Sequence, residues 1–284
     1  MFGDHLVGIY EKAFAPKTSW SEKLRRASKL GFDYIEISID ETDERLSRLD
    51  WSRAQKKQLI DDIWNSGISI QSMCLSGHRR FPFGSADVSI RKKAYEIMDK
   101  AIEFAVETGI RVIQLAGYDV YYEPSNEVSI KRFSDGMQWA AQRAARAQVM
   151  LAMEIMDTPF MNSISKHLEY EEKINSPWYK VYPDIGNLSA WRENDPAAEI
   201  EKGISSIVGV HVKDAIAPCG KFRGKFKSVP FGTGCVDFSA RFNQLEKLNY
   251  TGPYMIEMWY QDGTDDMQEI KKALNWLNKQ YERK

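Results

Sequence analysis

Short apolar runs alternate with longer amphipathic ones along the whole chain. The short runs are HLVGIYE from His5, YIEISI from Tyr34, ISIQSMCLS from Ile68, VIQLAG from Val112, VMLAMEIM from Val149, YKVYPDIGN from Tyr179, IVGVHVKD from Ile207 and PYMIEMW from Pro253. Each is rich in Val, Ile, Tyr or Met and too short for an ordinary helix. Near-continuous apolarity, rather than strict alternation, marks parallel strands covered on both faces. The runs between them have helical spacing. Ser19 or Ser21 caps a first helix ending at Gly31, Ser52 opens one that stops at Gly67, and Ala86 to Thr108 forms a long one closed by Gly109. Residues 126–147, 163–174, 196–203, 238–249 and 265–282 supply the rest. Ser, Asn and Asp before such segments, and Gly after them, are start and stop chemistry.

Eight strands, each followed by a helix, predict the α/β class and a closed (β/α)₈ TIM barrel, one domain spanning residues 1–284. An open doubly wound sheet is the weaker reading. The first strand leads into GIYEKAF instead of the GxGxxG turn of a dinucleotide fold, and no linker divides the chain.

Active sites of such barrels lie at the carboxyl ends of the strands. There the last four strand candidates each carry one ionisable residue in an apolar run: Glu154, Asp184, His211 and Glu257. Side chains alternate along a strand, so Met153 and Ile155, Val210 and Val212, and Ile256 and Met258 face the helices while their polar neighbours face the barrel. Converging carboxylates there cost several kcal/mol per buried ion unless compensated. One divalent metal, Mn²⁺, Mg²⁺, Co²⁺ or Zn²⁺, compensates them, because three carboxylates and an imidazole form a mixed, fairly hard ligand set.

Composition narrows the partners. A formal charge of −1, with 43% hydrophobic and 28% charged residues, argues for a globular chain with no nucleic-acid partner. No apolar stretch approaches the roughly 18 residues that span a bilayer, so no membrane partner is expected. The start, MFGDHLVGIYEKAF, lacks the pattern of a signal peptide, and Cys74, Cys219 and Cys235 have no CxxC spacing. A cytoplasmic protein is the expectation.

Several stretches carry a resemblance to a known family: DETDERLSRLDWS, SMCLSGHRRFPFGS, IRVIQLAGYDVYY, LAMEIMDTPFMNSISK, YPDIGNLSAW, HVKD and VPFGTGCVDF. The chain resembles the sugar isomerase/epimerase superfamily of metal-dependent barrels, which includes xylose isomerase-like proteins, tagatose 3-epimerase and endonuclease IV. Within it the match is closer to the ketopentose 5-phosphate 3-epimerases of bacterial L-ascorbate use. That resemblance implies metal ligation by Glu154, Asp184, His211 and Glu257, with Glu154 and Glu257 as the acid/base pair. It implies interconversion of L-xylulose 5-phosphate and L-ribulose 5-phosphate through a cis-enediolate, and a possible homodimer. Asn187 stands where the broader family often has a substrate-binding histidine, and Lys213 faces the same mouth.

A sugar phosphate also needs an anion handle. Loops near the seventh and eighth strands often bind phosphate in barrels. Here that loop carries Lys213, Lys221, Arg223, Lys225 and Lys227, while His78, Arg79 and Arg80 follow the third strand. Arg suits bidentate phosphate contact, and Arg79 and Arg80 sit directly beyond a strand. Gln114 reads as a substrate contact or a barrel filler, and Glu36 as an orienting group or an inward ion-pair member. His167, on an expected surface helix, and His5, before the first strand, are not ligand candidates. Trp191 and Trp259 are candidates for pocket walls. An aldose–ketose isomerase, a polyol dehydratase, an endonuclease IV-like hydrolase and a non-catalytic sugar-binding barrel remain as rival activities.

Overall fold

The computed structural model, which describes residues 2–283, places strands β1 (Val7–Tyr10), β2 (Tyr34–Ile39), β3 (Ser69–Leu75), β4 (Val112–Leu115), β5 (Met150–Glu154), β6 (Tyr179–Tyr182), β7 (Val210–Val212) and β8 (Tyr254–Ile256). The helices are α1 (Trp20–Leu30), α2 (Asp43–Leu46), α3 (Arg53–Ser66), α4 (Val88–Thr108), α5 (Glu127–Ala147), α6 (Ile164–Ile174), α7 (Ile185–Ala190), α8 (Pro196–Gly203), α9 (Phe238–Lys247) and α10 (Asp266–Glu282). Side-chain caps set their starts. Ser19 accepts from the Glu22 amide at α1, Ser52 and Gln55 form a capping box at α3, and Asp87 moves the start of α4 two residues past Ala86. Gly31, Gly67 and Gly109 end α1, α3 and α4 in the left-handed region, at φ +84°, +69° and +80°.

All eight strands run parallel in the order β6-β5-β4-β3-β2-β1-β8-β7. The barrel closes between β6 and β7 by isolated bridges alone, Val181 with Ile207 and Asp184 with His211. Two amide bonds serve that seam: Val208 donates to the Val181 carbonyl at 3.1 Å and His211 to that of Pro183 at 3.0 Å.

Alternation sorts the side chains into two cores. Ile9, Ile37, Met73, Ile113, Met153, Val181, Val212 and Ile256 pack outward against the helices, while Tyr10, Tyr34, Cys74, Ala152, Tyr182 and Met255 form a separate cluster inside the barrel. Gly8 is required there: a Cβ would stand 2.4 Å from the Tyr34 ring. A register shift after Ile35 pairs Glu36 with Ser72, so both point inward and the Ser72 hydroxyl donates to Glu36 Oε2 at 2.7 Å. This polar pair lies beneath the mouth. Among the described residues, no helix is long and apolar enough to cross a membrane.

Candidate metal centre

Each of the four candidate ligands sits at or next to the carboxyl end of its strand: Glu154 ends β5, Asp184 follows β6 by two residues, His211 is central in the short β7, and Glu257 follows β8 directly. One ligand atom from each lies within 4.8 Å of the others, and all four residues are buried. His211 Nδ1 stands 3.6 Å from Glu154 Oε1, 4.0 Å from Asp184 Oδ2 and 3.7 Å from Glu257 Oε2.

Neighbouring groups aim these atoms. The Glu36 carboxylate accepts from His211 Nε2 at 3.0 Å, which leaves Nδ1 directed at the cluster. Gln114 Nε2 donates to Glu154 Oε2. Asp184 caps α7, its Oδ1 accepting from the Asn187 amide at 2.8 Å, so Oδ2 is left to face inward.

The unsatisfied atoms test whether a cation fits. His211 Nδ1 is buried with no hydrogen-bond partner. Asp184 Oδ2 and Glu257 Oε2 also lack a hydrogen bond of acceptable geometry; the Lys213 ammonium meets them as ion pairs at 2.8 and 2.9 Å. One ammonium facing Glu154, Asp184 and Glu257, with Glu36 below, leaves surplus negative charge out of water. Burial and the charges of Glu257 and Glu154 push Asp184 up to about 7 against the pull of Lys213. Burial also opposes ionisation of Glu257, but Lys213 and His211 hold it down at about 2. His211 is raised, because Glu36, Glu154 and Glu257 outweigh the burial of its ring. Three carboxylate oxygens and one imidazole nitrogen, converging in a deficit of positive charge, suit a divalent metal.

The cluster opens through a narrow space of about 40 Å³ bordered by Tyr10, Lys12, Arg79, Tyr118, Asn187, Lys227 and Trp259. Lys213, Glu257 and Trp259 also wall a cavity of about 400 Å³ between the loops after β7 and β8, where Phe231 and Trp276 add aromatic surface. Arg79 lies over the Tyr118 and Tyr121 rings, donates to the Tyr118 hydroxyl at 3.3 Å and stands 3.6 Å from Glu41. Lys227 keeps much of its surface open to solvent, yet enough protein surrounds it for desolvation, and then the Arg79 charge, to lower its pKa. Asp157, accepting from the Tyr118 hydroxyl at 2.6 Å, lines the same space, and the two cations outnumber it there to form an anion-seeking edge.

The other sequence candidates divide. Asn187 reaches the mouth, its Nδ2 donating to the Ile155 carbonyl and its Oδ1 buried without a partner. Gln114 contacts Glu154 rather than the open space. His78 does not reach the mouth: its ring turns outward, stacks on Phe83 and bonds the Ala94 carbonyl, and burial lowers its pKa to about 4. Arg80 is drawn outside by Asp43 and the Glu41 carbonyl. Lys221, Arg223 and Lys225 are exposed on a hairpin. Of the two candidate wall tryptophans, Trp259 lines the space, while the Trp191 indole donates to the Met156 carbonyl at 3.1 Å. His167 is fully buried against Tyr179, not on the surface, because α6 turns that face inward. Lys12 went unread in the sequence. It pairs with Asp40 at 2.5 Å and lines the mouth, and its place just past β1 is the same signal that marked Arg79.

The model of the xylose isomerase-like TIM barrel family matches residues 24–280. A protein of Escherichia coli K12 named putative L-ribulose-5-phosphate 3-epimerase SgbU is 54% identical over 274 residues, 96% of each chain. L-ribulose-5-phosphate 3-epimerase UlaE of Escherichia coli SE11 is 55% identical over 271 residues, 95% of this chain and 93% of its own. Among solved structures, an L-ribulose 3-epimerase superposes with a TM-score of 0.74 at 21% identity, covering 97% of this chain and 94% of that one. A D-psicose 3-epimerase crystallised with D-fructose gives 0.76 at 16% identity, covering 95% and 97%. At those identities the two structures speak for the fold alone.

Proposed function

Because this chain belongs to the xylose isomerase-like TIM barrel family, we propose that it is a metal-dependent 3-epimerase interconverting L-ribulose 5-phosphate and L-xylulose 5-phosphate. The observation that carries the reading is the buried cluster of Glu154, Asp184, His211 and Glu257 under a cationic edge.

The C3 proton of a 2-ketose is acidified by the adjacent carbonyl, but too weakly for a carboxylate in water. A dication held by the four residues, Mn²⁺, Mg²⁺, Co²⁺ or Zn²⁺, supplies Lewis-acid stabilisation of charge developing on the sugar. Glu154 and Glu257 do the proton work. They rise from β5 and β8, strands on either side of β7 in the barrel, a placement that lets them flank a planar enediolate. One carboxylate takes the C3 proton from one face, and the other carboxyl returns a proton to the opposite face, inverting the centre. Gln114 and Glu36 hold Glu154 and His211 in place. Tyr10 and Trp259 limit water at the mouth. Arg79, Lys227 and Lys12 receive the phosphate, Arg79 with the directional fork that suits it. The reading includes a cytoplasmic enzyme, assembled as a homodimer, that uses no nucleic acid.

The test is a panel of pentulose phosphates assayed after chelation and after metal restoration, in D₂O, with C3 followed by NMR. The expected result is metal-restored inversion with solvent deuterium at C3 and an unchanged carbon skeleton. An aldose product or loss of water would sink the assignment.

A further inference from the structure

Asp214 closes the HVKD segment after β7 and is 2% exposed. Among the described residues no Lys, Arg or His forms an ion pair with it; backbone amides surround it instead. Its Oδ2 accepts from the Gly232 and Gly234 amides, both at 2.9 Å, and its Oδ1 from Ala215 at 2.9 Å and Val236 at 3.4 Å. The donors come from both ends of the excursion between β7 and α9, so one carboxylate ties the neck of that loop. The Cys235 amide, bonding the Ala215 carbonyl at 2.8 Å, completes the tie. Gly234 belongs to this construction: a Cβ there would stand 2.1 Å from Asp214 Oδ1 and 2.3 Å from the Ala215 carbonyl. Past the neck, Ile216 and Lys225 exchange backbone bonds at 2.8 and 2.9 Å in a small antiparallel hairpin. The chain then returns through Phe226, packed on Trp191 at 5.8 Å between ring centroids, to Lys227 at the mouth.

We propose that Asp214 is a positioning residue for substrate recognition: by gathering four amides at the loop neck it fixes Phe226 and Lys227 over the mouth and so sets affinity for the phosphorylated end. The inference rests on the phosphate role given to Lys227 above. Asp214 itself lines the larger cavity and not the narrow space over the metal cluster. Buried carboxylates satisfied by several amides are costly to alter, because the donors lose a charged acceptor and find no water in its place.

The variant Asp214→Asn sets an amide N–H against two of those donors, and Gly234→Ala disturbs the same neck from the facing side. For both, the expected result is a KM for L-ribulose 5-phosphate raised at least tenfold with kcat within about twofold, and unchanged kcat/KM on free L-ribulose. Limited trypsin digestion of the folded protein should cut faster after Lys221, Arg223, Lys225 and Lys227, with the metal Kd unchanged. An unchanged digestion rate, or a KM that does not move while digestion quickens, overturns the proposal. Equal wild-type kcat/KM on the phosphorylated and free sugars is a separate failure, that of the phosphate reading itself.

Discussion

Glu36 Oε1 lies 3.0 Å from His211 Nε2, with both side chains fully buried, and this contact decides which imidazole nitrogen faces the three carboxylates. A ring held this way keeps its Nδ1 lone pair aimed without an entropic cost on each encounter with a cation. Glu36→Ala is therefore expected to weaken metal binding by roughly ten- to a hundredfold. Glu36→Gln, which retains a carbonyl acceptor, should lose less. Competition against a fluorescent chelator measures both, and equal affinity in wild type and Glu36→Ala would remove the role.

Glu154 and Glu257 can be separated from their part in metal holding by amide substitution, since an amide oxygen still ligates but takes no proton. Glu154→Gln and Glu257→Gln should each lower epimerisation by on the order of a hundred- to ten-thousandfold. Each should also block deuterium wash-in at C3 from one epimer sooner than from the other. Residual activity near wild type in either variant would reassign that carboxylate.

Arg79 is held by Tyr118, Tyr121 and Glu41 before any substrate arrives. Losing a charge-assisted contact of about 1.5–3 kcal/mol should raise KM for the phosphorylated ketose by roughly ten- to a hundredfold in Arg79→Ala. Steady-state kinetics on the free ketose should be unmoved. A fall confined to kcat would place Arg79 in the chemistry instead.

Glu11 governs acid stability. It is fully buried among Arg48, Arg45 and Lys23, and it also accepts the Ser38 amide at 3.0 Å. Burial alone would raise its pKa, but the three cations outweigh it and hold the group at about 2 against an ordinary 4.5. A depressed folded-state value stabilises the fold above pH 4.5, and that stability drains away as pH falls toward 2. The contribution is on the order of 3 kcal/mol. Glu11→Gln should forfeit it at neutral pH and leave the buried Arg48 and Lys23 and the half-buried Arg45 short of a partner. Urea midpoints between pH 7 and pH 2 should converge for wild type and variant; parallel curves would deny Glu11 this part.

The barrel and the four clustered residues were legible because both rest on local pattern. An ionisable side chain alone in an apolar run, flanked by residues that must face helices, has one remaining direction, and Glu154, His211 and Glu257 follow that rule. Asp184 needed more, since Pro183 ends β6 early and the short helix α7, which no periodicity marks, supplies the Asn187 amide that fixes its carboxylate. Long side chains past the strands were harder. Arg79 and Arg80 are adjacent and equally basic, yet Asp43 draws one outward while Tyr118 and Tyr121 hold the other at the mouth. His78 follows the same strand and turns under α4 toward the Ala94 carbonyl. Such choices depend on partners distant in sequence, which periodicity does not report.

The seam between β6 and β7 gives the candidate ligands a mechanical meaning. Asp184 and His211 stand on its two sides and form one of its isolated bridges. An ion shared by that pair would act as a rivet across the thinnest joint of the cylinder, so its departure should be felt first as breathing of these two strands rather than as uniform softening.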